Sequence, residues 1–159
     1  MEEVIRNLFI GDRDEWVRGR PDWAVIHAEK EMHRKYVERH RLIFRDAVAS
    51  QDGKELYLAF EDAMKADQVN TRCIRPALDF AHRHLARRRK VLIHCITGLS
   101  RSPAIILLYL LQYTDLLPKT NIFDAIFSFS EIYPLYNPND GLLAFTARFL
   151  EELKVPVRV

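Results

Sequence analysis

An α/β fold with a largely parallel sheet is what this sequence predicts, and three observations predict it. Short apolar, β-branched runs come before longer segments whose apolar residues recur at helical spacing. One such run, Lys90-Val91-Leu92-Ile93, feeds the loop His94 to Ser102, which opens directly into the apolar stretch Ser102 to Leu111. The third observation is size: 159 residues, 48% of them apolar, suit one domain with its own core. Glycines and prolines are scattered and form no linker, low-complexity tract or repeat, so a single domain over 1–159 is expected.

In chain order, Leu8-Phe9-Ile10, closed by Gly11-Asp12, and Trp23 to His27 read as the first two strands. Glu29 to Arg45 is densely charged, and Glu31, Lys35, Glu38 and Arg41 can decorate a helix at spacings of three and four. That helix either presents a solvated face or acts as a mobile lid that helps choose the substrate. Glu55 to Phe60 is the next strand and runs into the acidic loop Glu61-Asp62-Ala63. Ile74, Leu78, Ala81 and Leu85 mark an amphipathic helix that ends in Arg87-Arg88-Arg89-Lys90. Ser102 to Leu111 is the central buried helix, far short of the roughly 20 residues that span a bilayer. Two further helices follow, striped by Ile122, Ile126, Phe129 and Tyr133, and by Leu142, Phe145, Phe149 and Leu153. The loop His94 to Ser102 then lies at the carboxyl end of its strand, where parallel sheets bind ligands.

That loop carries the chemistry. A strand-to-helix turn can point successive backbone N–H groups inward, and the first N–H groups of the helix lack intrahelical partners, so an anion is favoured there. Pro103 sits near the first turn, where a missing N–H costs nothing. Gly98 supplies the freedom a tight turn demands, and the loop residues Ile96, Thr97, Gly98, Leu99 and Ser100 contribute the amides. Arg101 can grip two phosphate oxygens with its planar fork. Cys95 lies at the focus of this positive potential, which lowers a thiol pKa from about 8.5 toward roughly 3.5–7.5 and makes a thiolate nucleophile. His94, on a strand of period two, points away from Cys95 and reads as structural, orienting the loop by hydrogen bonds.

His94-Cys95-Ile96-Thr97-Gly98-Leu99-Ser100-Arg101-Ser102 resembles the His-Cys-x-x-Gly-x-x-Arg-Ser signature of cysteine-dependent protein phosphatases, and its Gly-Leu-Ser-Arg-Ser portion is most similar to the dual-specificity branch. Rhodanese and arsenate-reductase domains carry a Cys-to-Arg anion loop but lack this His and Ser. The resemblance implies a four- to five-stranded, mostly parallel sheet flanked by helices, with neither metal nor organic cofactor. It also implies a general acid some thirty residues before the cysteine, because the leaving oxygen must be protonated. Asp62 fits best, Asp67 is the rival and Glu61 a weaker third. By the same resemblance Ser102 hydrogen-bonds the thiolate and helps the phosphoenzyme break down, although a serine there also suits helix N-capping. The stretch Tyr133 to Gly141 is similar to the segment before the last helix of these phosphatases; Asn139 could support the active-site loops, while turn chemistry explains the same residues.

The remaining observations narrow the function. Cys73 and Cys95 are the two cysteines, too few for a disulfide framework, and Cys73 reads as an ordinary cysteine more readily than as a redox partner of Cys95. Six scattered histidines show no metal-ligand spacing. The N-terminus has no secretion signal, so a cytosolic monomer is expected. A net charge of +2 with one small basic cluster argues against nucleic acid as a partner. The reading is a phosphomonoesterase acting on phosphorylated proteins or peptides, phosphotyrosine first. A phosphoinositide, a nucleotide or an RNA 5′ end would use the same chemistry, and a non-catalytic phosphate-binding module is the remaining class. Neutral Ile96, Thr97 and Leu99 favour simple monoesters over highly charged phosphates.

Overall fold

The computed structural model describes residues 1–15 and 22–154. Strands β1 (Glu2–Ile5), β2 (Leu8–Gly11), β3 (Trp23–His27), β4 (Ala47–Ala49), β5 (Glu55–Leu58) and β6 (Lys90–His94) form one sheet in the order β1-β2-β6-β3-β5-β4. The four central strands, β2, β6, β3 and β5, run parallel, whereas β1 and β4 pair antiparallel at the edges. Among the described residues five α-helices pack with the sheet: α1 (Lys30–Arg39), α2 (Ile74–Ala86), α3 (Arg101–Tyr113), α4 (Ile122–Ile132) and α5 (Asp140–Lys154). The parallel core matches the four strands read from apolar runs. The edge strands extend it to six, and they escape a pattern reading because each is short and has few buried residues.

Packing explains why α3 is apolar all round. It is buried from Arg101 through Leu111, with Ile105, Ile106 and Leu107 fully enclosed, so no polar face has to be kept for solvent. Ile74, Leu78 and Ala81 of α2 and Phe129 of α4 are buried as the periodicity implies. On α5 the stripe shifts: Leu153 is partly exposed, and Thr146 and Leu150 are enclosed. Among the described residues no helix is long and apolar enough to cross a membrane.

The charged segment is helical only over α1. Glu31 pairs with Arg34 and Lys35, and Arg34 also with Glu38, all on the solvent face, where such pairs contribute little. The helix is nonetheless anchored, because buried His33 bonds the Arg45 carbonyl at 2.7 Å. Arg41 lies beyond the helix with φ of 51°, so its place in the charge pattern is not helical. The basic cluster Arg87 to Lys90 sits at the start of β6, the opposite end of that strand from His94. It is therefore remote from the Cys95 loop, and Lys90 lies over the Trp23 ring at 5.5 Å.

Candidate active site

The loop from Cys95 to Ser100 connects β6 to α3 at the carboxyl end of the parallel strands. Its carbonyls are tied outward. The Ile96 carbonyl accepts from the Arg13 amide at 3.3 Å, the Leu99 carbonyl from the Asn137 amide at 2.8 Å, and the Gly98 carbonyl from the Tyr133 hydroxyl at 2.9 Å. In a planar trans peptide the N–H points opposite to the C=O, so the amides of Thr97, Leu99 and Ser100 face the other side. The Leu99 amide reaches Thr97 Oγ1 at 3.4 Å. Gly98 has φ of +71°, and a Cβ there would stand 3.1 Å from the Gly11 carbonyl oxygen, so both backbone conformation and space call for glycine.

Cys95 is 1% exposed and its Sγ lies 3.3 Å from Ser102 Oγ, which is also 3.4 Å from the Gly11 carbonyl. The serine hydroxyl has one hydrogen, so it can donate to only one of these two acceptors at a time. Ser102 is not the helix cap. Ser100 occupies that position and makes no capping bond, because its hydroxyl donates to Asp62 Oδ1 at 2.7 Å. Arg101 is 8% exposed, and its Nε has no hydrogen-bond partner among the described residues. A buried guanidinium N–H without a partner is costly unless something polar meets it.

Arg101 lines a cleft of about 460 Å³ together with Glu61, Asp62, Ala63, Met64 and Gln68. The site thus brings together Asp62, thirty-odd residues upstream, and the loop. Asp67 lies in a short 3-10 turn, exposed and outside the cleft lining. Glu61 is in the lining, but its carboxylate is engaged by Lys30 Nζ at 2.6 Å. Asn139 belongs to the site as well: its amide donates to Ser100 Oγ at 3.1 Å and its Nδ2 to the Asp62 carbonyl at 3.4 Å. It therefore does more than shape a turn. Among the described residues no cluster of three or more His, Cys, Asp or Glu could hold a metal ion.

Gly141 fastens the acid loop to α5. A Cβ there would come within 2.4 Å of the Ala63 carbonyl oxygen and 2.6 Å of the Lys65 amide nitrogen, contacts that no flexible side chain can relieve. Gly141→Ala is expected to destabilise the fold by about 1–3 kcal/mol through overpacking and to lower kcat by displacing Asp62, while affinity for inorganic phosphate stays near native. Thermal unfolding and steady-state kinetics check both halves.

Three groups at the site were not singled out from sequence. Glu29 is buried and paired with Arg13, whose amide also holds the loop. His27 closes β3 and lies 2.6 Å from His94, with Glu55 behind it. Tyr133 and Asn137 secure the loop carbonyls, although their stretch had been noticed for its turn residues. The available signal was His27 itself, a polar residue ending an apolar strand at the ligand side of the sheet. Cys73 is fully buried, its thiol donates to the Asp46 carbonyl at 3.3 Å, and burial pushes its pKa up to about 12, which suits a packing cysteine.

Residues 26–145 match the family model for the dual specificity phosphatase catalytic domain. No curated protein sequence matches the chain. Among solved structures, human DUSP28 is similar with a TM-score of 0.69 at 15% identity, covering 97% of this chain and 98% of that one. The human tyrosine phosphatase-like serine/threonine/tyrosine-interacting protein superposes with a TM-score of 0.66 at 21% identity, over 97% and 95% of the two chains. PTPMT1, solved in complex with PI(5)P, gives 0.64 at 16% identity, over 96% and 95%.

Proposed function

The chain belongs to the dual specificity phosphatase family, and from that premise we propose that it hydrolyses phosphomonoesters on proteins, phosphotyrosine first and phosphothreonine or phosphoserine with it, through a cysteinyl-phosphate. The observation that carries this reading is one arrangement: Cys95, Ser102 and Arg101 within a single loop-helix junction, with Asp62 hydrogen-bonded to the same junction through Ser100. The Arg101 fork and the loop amides hold the phosphoryl oxygens. Cys95 Sγ attacks phosphorus; the P–S bond forms as the P–O bond to the substrate breaks, and protonated Asp62 gives its proton to the departing oxygen. Water then attacks the cysteinyl-phosphate while the Asp62 carboxylate takes its proton. The P–S bond breaks, and the Ser102 hydroxyl donates to the leaving thiolate.

The cleft's lining supports a monophosphate on a side chain. Among the described lining residues Arg101 is the one cation, so the lining supplies no second side-chain cation for a second phosphate. Met64 at the cleft is 61% exposed and Ile96 in the loop 44% exposed, which offers apolar surface to an aromatic ring. Kinetics on matched phosphotyrosine and phosphothreonine peptides, with a short-chain phosphoinositide alongside, test the reading. Phosphotyrosine is expected to give the highest kcat/KM and the phosphoinositide the lowest; a phosphoinositide preferred over both peptides would overturn the protein-substrate assignment.

A further inference from the structure

His94 immediately precedes the nucleophile, and its ring is fully buried. Its Nε2 lies 2.6 Å from His27 Nδ1, and on its own loop the ring meets the backbone of Cys95. Among the described residues one side chain holds this ring by hydrogen bonding. His27, equally buried, presents its other nitrogen to Glu55 Oε1 at 3.2 Å. The sheet imposes this chain: His27 stands opposite His94 across β3 and β6, and Glu55 opposite Val25 across β3 and β5. Tyr57 stacks on one face of the His27 ring at 4.3 Å, and Tyr36 of α1 stacks in turn on Tyr57 at 4.0 Å.

Proton counting gives the chain a direction. An ionised carboxylate only accepts, so Glu55 places a hydrogen on His27 Nε2. Its ionised state is favoured, because the hydrogen bond from His27 draws its carboxyl below the usual range against the opposing effect of burial. His94 stays neutral: burial, then the adjacent His27 and the cations Arg13 and Arg101, push it down to about 3. One proton is then shared between His27 Nδ1 and His94 Nε2, and it locks the two rings together.

We propose that His27, anchored by Glu55, is a positioning residue for the nucleophilic loop, acting through the His94 ring on the main chain that carries Cys95. Its kinetic readouts rest on the phosphatase reading above.

The test is a series measured on p-nitrophenyl phosphate. His27→Leu keeps an apolar volume and removes the hydrogen bond; kcat is expected to fall tenfold to a hundredfold with KM within about twofold, as for a nucleophile slightly out of place. His27→Asn, whose side-chain amide falls where Nδ1 was and can present its oxygen to the His94 Nε2–H, should recover most of that loss. Native kcat in His27→Leu, or an Asn variant no better than the Leu variant, would overturn the proposal. Should His27→Leu fail to fold, nitrogen-15 spectra of histidine-labelled native protein and Glu55→Gln decide: the His94 ring signals must move when Glu55 loses its charge, and unmoved signals refute the linkage. That spectral readout needs no turnover, so an inactive native chain would sink the phosphatase reading and leave this inference separately testable.

Discussion

Cys95→Ser is expected to lower turnover of an aryl phosphate by about 10⁴-fold or more, the scale on which removal of a covalent nucleophile acts. The fold should tolerate it, since serine is smaller by little and Ser102 Oγ, 3.3 Å from the sulfur, can hydrogen-bond either atom. The rate cannot survive, because a serine hydroxyl remains protonated at neutral pH and needs a base to take its proton. Among the described residues, the groups beside the Cys95 side chain offer none. Ser102 is not basic, and the His94 ring is turned to His27, 2.6 Å from it. Affinity for inorganic phosphate, measured by competition in the native chain and by calorimetry in the variant, should stay within a few fold because Arg101 and the loop amides are untouched. A variant with near-native turnover would eliminate the cysteinyl-phosphate; a native chain with no turnover, yet binding phosphate, would make this a recognition module.

The second large effect concerns the proton. Asp62→Asn keeps an oxygen to accept from Ser100, whose hydroxyl now lies 2.7 Å from Oδ1, but it has no proton to give. A loss of about 10²–10⁴ in kcat is expected for a poor leaving group such as phenyl phosphate, and a smaller one for p-nitrophenyl phosphate, whose phenolate departs readily unprotonated. That dependence on leaving group separates acid catalysis from a disturbed loop, which would slow both substrates alike. Asp67→Asn should remain within about twofold of native, consistent with its exposed place outside the cleft. The opposite ranking of the two variants would transfer the role to Asp67.

How much of this was legible from residues alone varies with distance along the chain. The loop was legible because its parts are contiguous: one strand, one turn and one helix place Cys95, Gly98 and Arg101 within a few residues, and local rules govern all three. Asp62 was legible only as one of three carboxylates. What separates them is contact with Ser100, a contact between residues far apart in the chain, and the engagement of Glu61 by Lys30. Asn139 was legible as a turn residue that could also support the loops, and Ser100 only as a contributor of a loop amide; that both meet Asp62 follows from α5 packing its first turn onto the Asp62 loop at Gly141.

The sequence by itself determined that this chain builds a parallel α/β core and a strand-to-helix loop at the end of a central strand, with a thiol at one end of the loop and a guanidinium at the other. These follow from periodicity and from spacings short enough for the backbone to enforce. Only the tertiary structure decided which carboxylate meets the loop, that the Ser100 hydroxyl is what it meets, and that His27 and Glu55 stand behind His94. Strand register places His27 beside His94, and register depends on the whole sheet's apolar pattern rather than on any local signal. Residues that are remote in sequence become neighbours only once the core has closed, and at this site those neighbours are Asp62 beside Ser100 and His27 beside His94.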